Sequence, residues 1–313
     1  MEKARYYDYA AFLRQYFEGK VQKISVDAGF TCPNRDGQIG YGGCTFCNNQ
    51  TFNPEYCRKE HDISRQLQEG IRFFGRKYPT MRYLAYFQAY TNTYASLDTL
   101  TARYEEALSV PGVVGIIIGT RPDCMPPELL RYLARLAQHT FVTVEYGVES
   151  TLDRTLQRIN RGHDFATAAQ AIHRTAEAGI ITGAHLILGL PGESRSDILS
   201  HALRLSQLPL HTIKLHQLQL IKGTAMGQEY TSHPEHFDIP DIERYIDLAI
   251  DFTQRLRPDI AIERFASQSP ASLLIAPRWG IKNYELTARI IRSMKQRNAW
   301  QGELWETPAQ PLI

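Results

Sequence analysis

Six short apolar runs of strand length alternate with stretches whose apolar residues recur at helical spacing, and this alternation fixes the class of fold. The strand-like runs are 23–27, 82–89, 113–119, 140–146, 181–188 and 211–217. Helical spacing fills 63–78, 97–108, 126–138, 151–158 with 165–178, and 194–205. Strands and helices in this order predict parallel βαβ units, and the unbroken apolar run Val113 to Ile118 suits a strand buried on both faces. Pro126 and Pro127 mark a helix opening, where a missing N–H has no partner to lose. The expected fold is α/β, a (β/α) barrel or partial barrel over residues 20–225, preceded by an N-terminal helix within 1–19. After about Thr224 the alternation stops: a polar segment, 227–240, leads to a helix at 241–257, a strand-like 259–265 and a helix at 283–297. Residues 226–313 therefore read as a C-terminal α/β extension packed on the barrel.

With 43% hydrophobic and 22% charged residues in 313, disordered and coiled-coil classes are excluded. No apolar run approaches the roughly 18 residues of a membrane span, and mean hydropathy is −0.34. The start, MEKARYYDYAAFLRQ, carries charges where a secretory signal needs an apolar core, so a cytoplasmic location with reduced cysteines is expected. A net charge of +2 neither demands nor forbids a nucleic-acid partner.

Four of the five cysteines lie between positions 32 and 57. Eleven residues separate Cys32 from Cys44, and two separate Cys44 from Cys47. The intervening PNRDGQIGYGG holds four glycines and reads as an irregular loop able to wrap an inorganic centre. Three thiolates can hold three irons of a cubic cluster and leave the fourth open. Four, with Cys57, can close a tetrahedral zinc site, although zinc sites usually show two short-spaced ligand pairs and this chain has one. Iron–sulfur, zinc and unligated thiols all stay open on spacing alone. The loop follows the first strand, on the face where (β/α) barrels assemble their chemistry.

The segment AGFTCPNRDGQIGYGGCTFCNNQTF, with YFQAYTNTY (86–94), GTRPDCMP (119–126), RINRGHD (158–164), HLILGLPGE (185–193) and IKLHQLQLIKGT (213–224), resembles the radical S-adenosylmethionine (SAM) enzymes. Within that superfamily it is similar to the YhcC/YtqA-type family, which is related to the radical domain of the Elongator catalytic subunit. The resemblance covers roughly residues 20–280 and implies a partial (β/α)6 barrel of the radical SAM type. It implies a [4Fe-4S] cluster on Cys32, Cys44 and Cys47, with SAM chelated to the open iron and cleaved on reduction to a 5′-deoxyadenosyl radical that abstracts hydrogen from substrate. An electron donor such as flavodoxin or ferredoxin is implied with it.

The same resemblance implies cofactor contacts for Phe46, Gln88, Arg121, Glu149, Arg161 and His185. Each has a plainer reading as packing, loop polarity or a structural ion pair. His185 stands where a related subgroup carries an acidic ribose ligand. The Gly189–Glu193 turn is implied to lie beside the adenine, and is otherwise an ordinary turn into a helix. Cys124 is a buried inert thiol or, alternatively, a catalytic candidate near the radical; Lys214, His216 and Lys222 are candidates for the open side of the site. Nine basic residues from Arg255 to Arg297, interleaved with Phe265, Trp279, Tyr284 and Trp300, suggest a phosphate-and-base surface, against the default of a solvated helix face. With the Elongator relationship, the wobble-uridine side chain of tRNA is the leading substrate expectation. The alternatives are a radical enzyme acting on a small metabolite or protein, and a non-catalytic cluster- or zinc-bearing RNA module.

Overall fold

A computed structural model describes residues 4–51, 54, 56–57, 60–76 and 80–306. In chain order the elements are α1 (Tyr9–Leu13), β1 (Val21–Val26), α2 (Ile63–Gly75), β2 (Arg82–Phe87), α3 (Leu97–Ser109), β3 (Val113–Thr120), α4 (Pro127–Ala137), β4 (Phe141–Glu149), α5 (Asp153–Arg158), α6 (Phe165–Glu177), β5 (Ile181–Leu188), α7 (Arg195–Ser206), β6 (Thr212–Gln217), β7 (Leu220–Ile221), α8 (Ala225–Ser232), α9 (Ile242–Arg255), β8 (Ala261–Arg264), β9 (Leu274–Ala276) and α10 (Asn283–Gln296). Tyr78, at the expected end of the second helix, lies outside the described residues, as do 1–3 and 307–313. Among the described residues, no helix is long and apolar enough to cross a membrane.

Helix starts follow local chemistry. Asp62, Ser96, Asp164, Ser194 and Asp241 each accept a hydrogen bond from the backbone three residues on, satisfying an orphan N–H of the first turn. Between them the β-branched runs pair in parallel, in the order β1-β2-β3-β4-β5-β6-β8, to form a curled half-barrel sheet. Ile116, Ile117 and Ile118 of β3 are fully buried, as expected of a strand covered on both faces.

The sheet has seven strands where six were expected, and the seventh comes from the C-terminal segment. β8 runs parallel beside β6, with α9 as its crossover helix, while β7 and β9 form a separate antiparallel pair. The polar insertion at 227–240 masks this last βαβ unit in the sequence. At the other end of the chain, helix is confined to Tyr9–Leu13. Asp8 bridges to Ile262 of β8, and α1 packs Phe12 and Leu13 with Leu84, Ile117, Phe141 and Ala261 beneath the sheet's concave face. Burying Phe12 alone is worth about 1.5–3 kcal/mol.

Above that apolar plug, the lumen is charged. Lys23 on β1 pairs with Glu145 on β4 (3.1 Å) and with Glu263 on β8; Lys214 on β6 pairs with Glu145 (2.5 Å) and Glu263 (3.2 Å). The Tyr9 ring covers the Lys23 ammonium at 4.2 Å. β1 and β8 are the two edges of the sheet, so Lys23–Glu263 spans the gap a half-barrel leaves open. Removing one partner of such a network strands the opposite charge. Lys23→Met is therefore expected to cost about 3 kcal/mol in urea unfolding, and Lys23→Met with Glu263→Gln to cost less than the sum of the two single changes. Additive costs would show that the pair does not tie the edges.

Candidate active site

The C-terminal ends of the parallel strands surround one cavity, open on one side. Its wall takes Cys32, Cys44, Phe46 and Cys47 from the loop after β1, Gln88 and Tyr90 after β2, and Gly119 to Arg121 at the end of β3. Glu145, Gly147 and Glu149 of β4, Arg161, His185 of β5, and His216 to Gln219 at and just past the end of β6 complete it, with Ser267 and Ser269 beyond β8. All nine residues singled out as cofactor or metal contacts thus face one space. Cys124 does not line it: its thiol lies 3.7 Å from the Asp123 carboxylate, and burial together with that charge pushes it up to about 12.

The cysteine loop is built from its own polar groups. Gln66 of α2 clamps its start, accepting from the Asp27 N–H (2.8 Å) and donating to the Asp27 carbonyl (2.9 Å). The Arg35 guanidinium donates to the Cys47 carbonyl at 2.9 Å. Amide donors approach two sulfurs at 3.7 Å: Asn34 toward Cys44 and Asn49 toward Cys47. Burial, with Cys44 nearby, pushes the Cys47 thiol up to about 11, a penalty that a bound cation reverses by holding the thiolate.

Beneath the mouth, β4 breaks register between Gly147 and Glu149, and Glu149 takes a left-handed φ of 67°. Such a bulge re-aims a side chain, here turning the Glu149 carboxylate into the cavity. Burial raises its pKa, opposed by Arg161, whose Nη2 is 3.7 Å away, and by Arg121. Arg121 itself is committed: its fork grips Asp123 (2.9 and 2.7 Å) and donates to the Arg161 carbonyl (2.9 Å). Gln88 accepts from Ser25 at 3.3 Å. His185 Nε2 lies 3.0 Å from Glu145, and its ring centroid is 5.4 Å from that of His216, whose Nδ1 meets Ser267. Burial holds both imidazoles neutral, His185 pulled down to about 4 and His216 well below the usual range, with neighbouring cations adding to the effect. Lys214 lies one layer lower, fully buried, and Lys222 is exposed outside the cavity.

Three features fit a cluster and a small polar cofactor. Arg161 Nε is buried without a hydrogen-bond partner, although its other nitrogens are engaged. Gly147 lacks the Cβ that would press within 2.5 Å of Arg161 and 2.6 Å of Glu149. Among the described residues, the one group of three His, Cys, Asp or Glu ligand atoms within 4.8 Å of one another is the exposed His233, Glu235 and His236. The three cysteine sulfurs form no such group, so at least one pair of them stands beyond 4.8 Å, wider than the ~3.8 Å that one tetrahedral zinc imposes, a spread that suits several irons. Cys57, the fourth ligand of the zinc alternative, is buried beside Asp27, which adds to the effect of burial in raising its pKa.

The spacing of Cys44 and Cys47 signalled the loop, but not the groups that hold it. Asn34 and Asn160 read only as loop residues, and Glu145 only as a strand residue. The Gly189–Glu193 turn appears as expected, with left-handed Gly189 and Gly192 leading into the Ser194 helix cap. The basic and aromatic C-terminal segment divides between a side pocket, which Arg278, Trp279 and Lys282 line together, and residues engaged in packing or ion pairs. Trp279 packs on Tyr245, Phe265 is buried, Arg257 donates to the Ser206, Leu208 and Leu210 carbonyls, and Arg289 and Arg297 pair with Glu243 and Asp247.

Comparison with known proteins places the geometry in context. The Radical SAM superfamily model matches residues 32–205, and that for the Radical_SAM C-terminal domain matches 210–296. YtqA of Bacillus subtilis (strain 168) is 34% identical over 302 residues, covering 96% of this chain and 93% of that protein. YhcC of Escherichia coli (strain K12) is 36% identical over 268 residues, 85% of each chain. The solved structure of Methanocaldococcus infernus Elp3, lacking its N-terminus, superposes with a TM-score of 0.69 at 16% identity, covering 91% of this chain and 65% of that one.

Burial of Glu149 carries a pH signature. Because the folded state favours its neutral form, the favourable contribution is complete at low pH and is lost as pH rises through the raised pKa. In cluster-free protein, Glu149→Gln should melt about 2 °C above wild type at pH 8 and with it at pH 4. A lower melt at pH 8 would show that Arg161 outweighs burial.

Proposed function

The chain belongs to the radical SAM superfamily, whose cofactors are a [4Fe-4S] cluster and SAM, and we propose that Cys32, Cys44 and Cys47 hold the cluster beneath a SAM molecule in the strand-end cavity. The observation that carries this reading is the convergence of those three thiols with a buried arginine and a buried carboxylate on one cavity. When bound, these cofactors supply a 5′-deoxyadenosyl radical that abstracts hydrogen from a substrate C–H bond, after one electron from a donor such as flavodoxin or ferredoxin.

The chain's own residues bind and orient. Arg161, whose Nε alone is unpartnered, offers that charged N–H to the SAM carboxylate, and Glu149 meets the amino group. Gln88 stands beside it at the end of β2, while Phe46, half-buried between two of the cysteines, packs against the adenine. Neutral His185, its Nε2 on Glu145, presents the other ring nitrogen to a ribose hydroxyl. Arg121 contributes charge from the wall rather than direct grip, because Asp123 occupies its fork. The ion-paired lumen and the α1 plug close the floor, excluding water from the radical.

The substrate reading is RNA, with a wobble-uridine side chain as the target, supported by the Elongator-type resemblance. A second reading, a small polar metabolite carrying negative charge, is favoured by a side pocket that shares Gln217, Gln219, Ser267 and Ser269 with the cavity. Gln268, Trp279, Arg278 and Lys282 line it as well, and no carboxylate does.

Anaerobic reconstitution with iron and sulfide, followed by dithionite and SAM, tests the chemistry. Wild type and Cys57→Ala are expected to yield 5′-deoxyadenosine, whereas Cys32→Ala, Cys44→Ala and Cys47→Ala lose it by at least 100-fold together with bound iron. Bound metal without product in wild type would make the centre structural. Filter binding to total tRNA should weaken steadily with rising salt, and no binding at low salt removes RNA in favour of the small substrate.

A further inference from the structure

One loop is fastened to the cysteine loop so as to deliver a single arginine. Asn34 donates to the Asn160 carbonyl (2.6 Å), Asn160 donates to the Gly43 carbonyl (2.9 Å), and the Thr45 N–H donates to the Ile159 carbonyl (3.0 Å). Asn160 takes a left-handed φ of 52° to make the turn. Arg161 leaves this segment with its guanidinium fixed on two sides. Nη2 donates to the Gly147 carbonyl at 2.6 Å, and Nη1 donates to Cys44 Sγ at 3.5 Å. The arrangement needs glycine at 147, where a Cβ would stand 2.5 Å from Nη2.

A hydrogen bond and a positive charge at a ligand sulfur act on the electronic state of the metal centre it holds. Reduction adds negative charge to an iron–sulfur cluster, so a donor N–H and a cation favour the reduced form and raise the potential. The Arg161 side chain is 8% exposed, so water screens its charge little. Its nearest carboxylate, Glu149 at 3.7 Å, offsets part of that charge.

We propose that Arg161, through its N–H···S contact with Cys44, sets the reduction potential of the cluster, with Glu149 as the opposing charge. The inference rests on the assignment of the cluster to Cys32, Cys44 and Cys47. Arg161 is here a positioning residue acting through a ligand sulfur. A purely structural clamp would alter stability and cluster content but leave the potential where it is.

The test is a dye-mediated redox titration of the reconstituted full chain without SAM, read by electron paramagnetic resonance. Arg161→Gln should lower the potential by at least a tenfold change in the reduction equilibrium, about 59 mV for one electron. Arg161→Lys, which keeps a cation but not the planar fork, should fall less, and Glu149→Gln should rise. Potentials of Arg161→Gln and Arg161→Lys equal to wild type at full cluster content would overturn the proposal. Loss of the cluster in both variants would assign Arg161 to assembly and overturn it too. A wild-type chain that takes up no cluster would bring down the underlying assignment, and the inference with it.

Discussion

The ion pair between Lys23 and Glu263 joins the first and last strands of a sheet that does not close by hydrogen bonding. Strand pairing runs from β1 to β8, beyond which only the short bridge from Asp8 to Ile262 adds backbone contact, and β1 and β8 themselves meet through side chains across the lumen. Two lysines against two glutamates balance in charge, and Glu145, at the middle of the sheet, is shared by both lysines. Burial alone would raise the Glu145 pKa, yet Lys214 and Lys23 hold it well below the carboxylate range. That fixed negative charge reaches upward as well, since its second oxygen also binds His185 at the floor of the cavity. Lumen closure and active-site geometry are thus one network.

The cavity shows the opposite economy: its residues are held in conformations that the chain does not prefer. Tyr90 and Glu149 are left-handed without being glycine, and Glu149 is a buried carboxylate short of full compensation. Such strain persists because the surroundings over-determine it. The cysteine loop is clamped by Gln66 at its start, Arg35 across its end, and the 159–162 loop along its middle. An irregular loop with four glycines has much conformational entropy to lose, and these side-chain bonds offset part of that cost before any cluster is present.

Elements with local signals were legible in the sequence. The period-3.6 stripes gave the helices, with Pro126 and Pro127 marking one start, and Val113–Ile118 announced a strand buried on both faces. β8 was visible as a strand-like run, but its place in the main sheet was not, because pairing partners are set by tertiary register and the polar stretch 227–240 interrupts the alternation. The lumen charges were illegible for a related reason: Lys23, Glu145, Lys214 and Glu263 are up to 240 residues apart, and each looks like an ordinary strand polar residue. The basic and aromatic C-terminal segment was legible only in part. Interleaving along the chain does not mean adjacency in space: Arg257, after α9, binds carbonyls and Trp279, in the loop after β9, donates to the Pro240 carbonyl, while Arg278 and Lys282 share a pocket with Trp279.

The division of labour along the chain follows from this topology. Cofactor-facing candidates come from the loop after β1 through to β5, residues 32 to 187, within the stretch 32–205 that the superfamily model spans. The rim facing the side pocket comes from 217–219 and 266–286, within the C-terminal match. Gln217 links the two regions, holding the backbone N–H and carbonyl of Ser267 with its own amide. The rim thus meets the cavity through the Gln217–Ser267 pair, whereas Glu145 belongs to both the lumen network and the cavity wall. On the proposed reading, the lining able to tell one substrate from another accordingly lies in the segment after β6, where the alternating pattern ends, and the cysteine loop with its clamps in the segment before it.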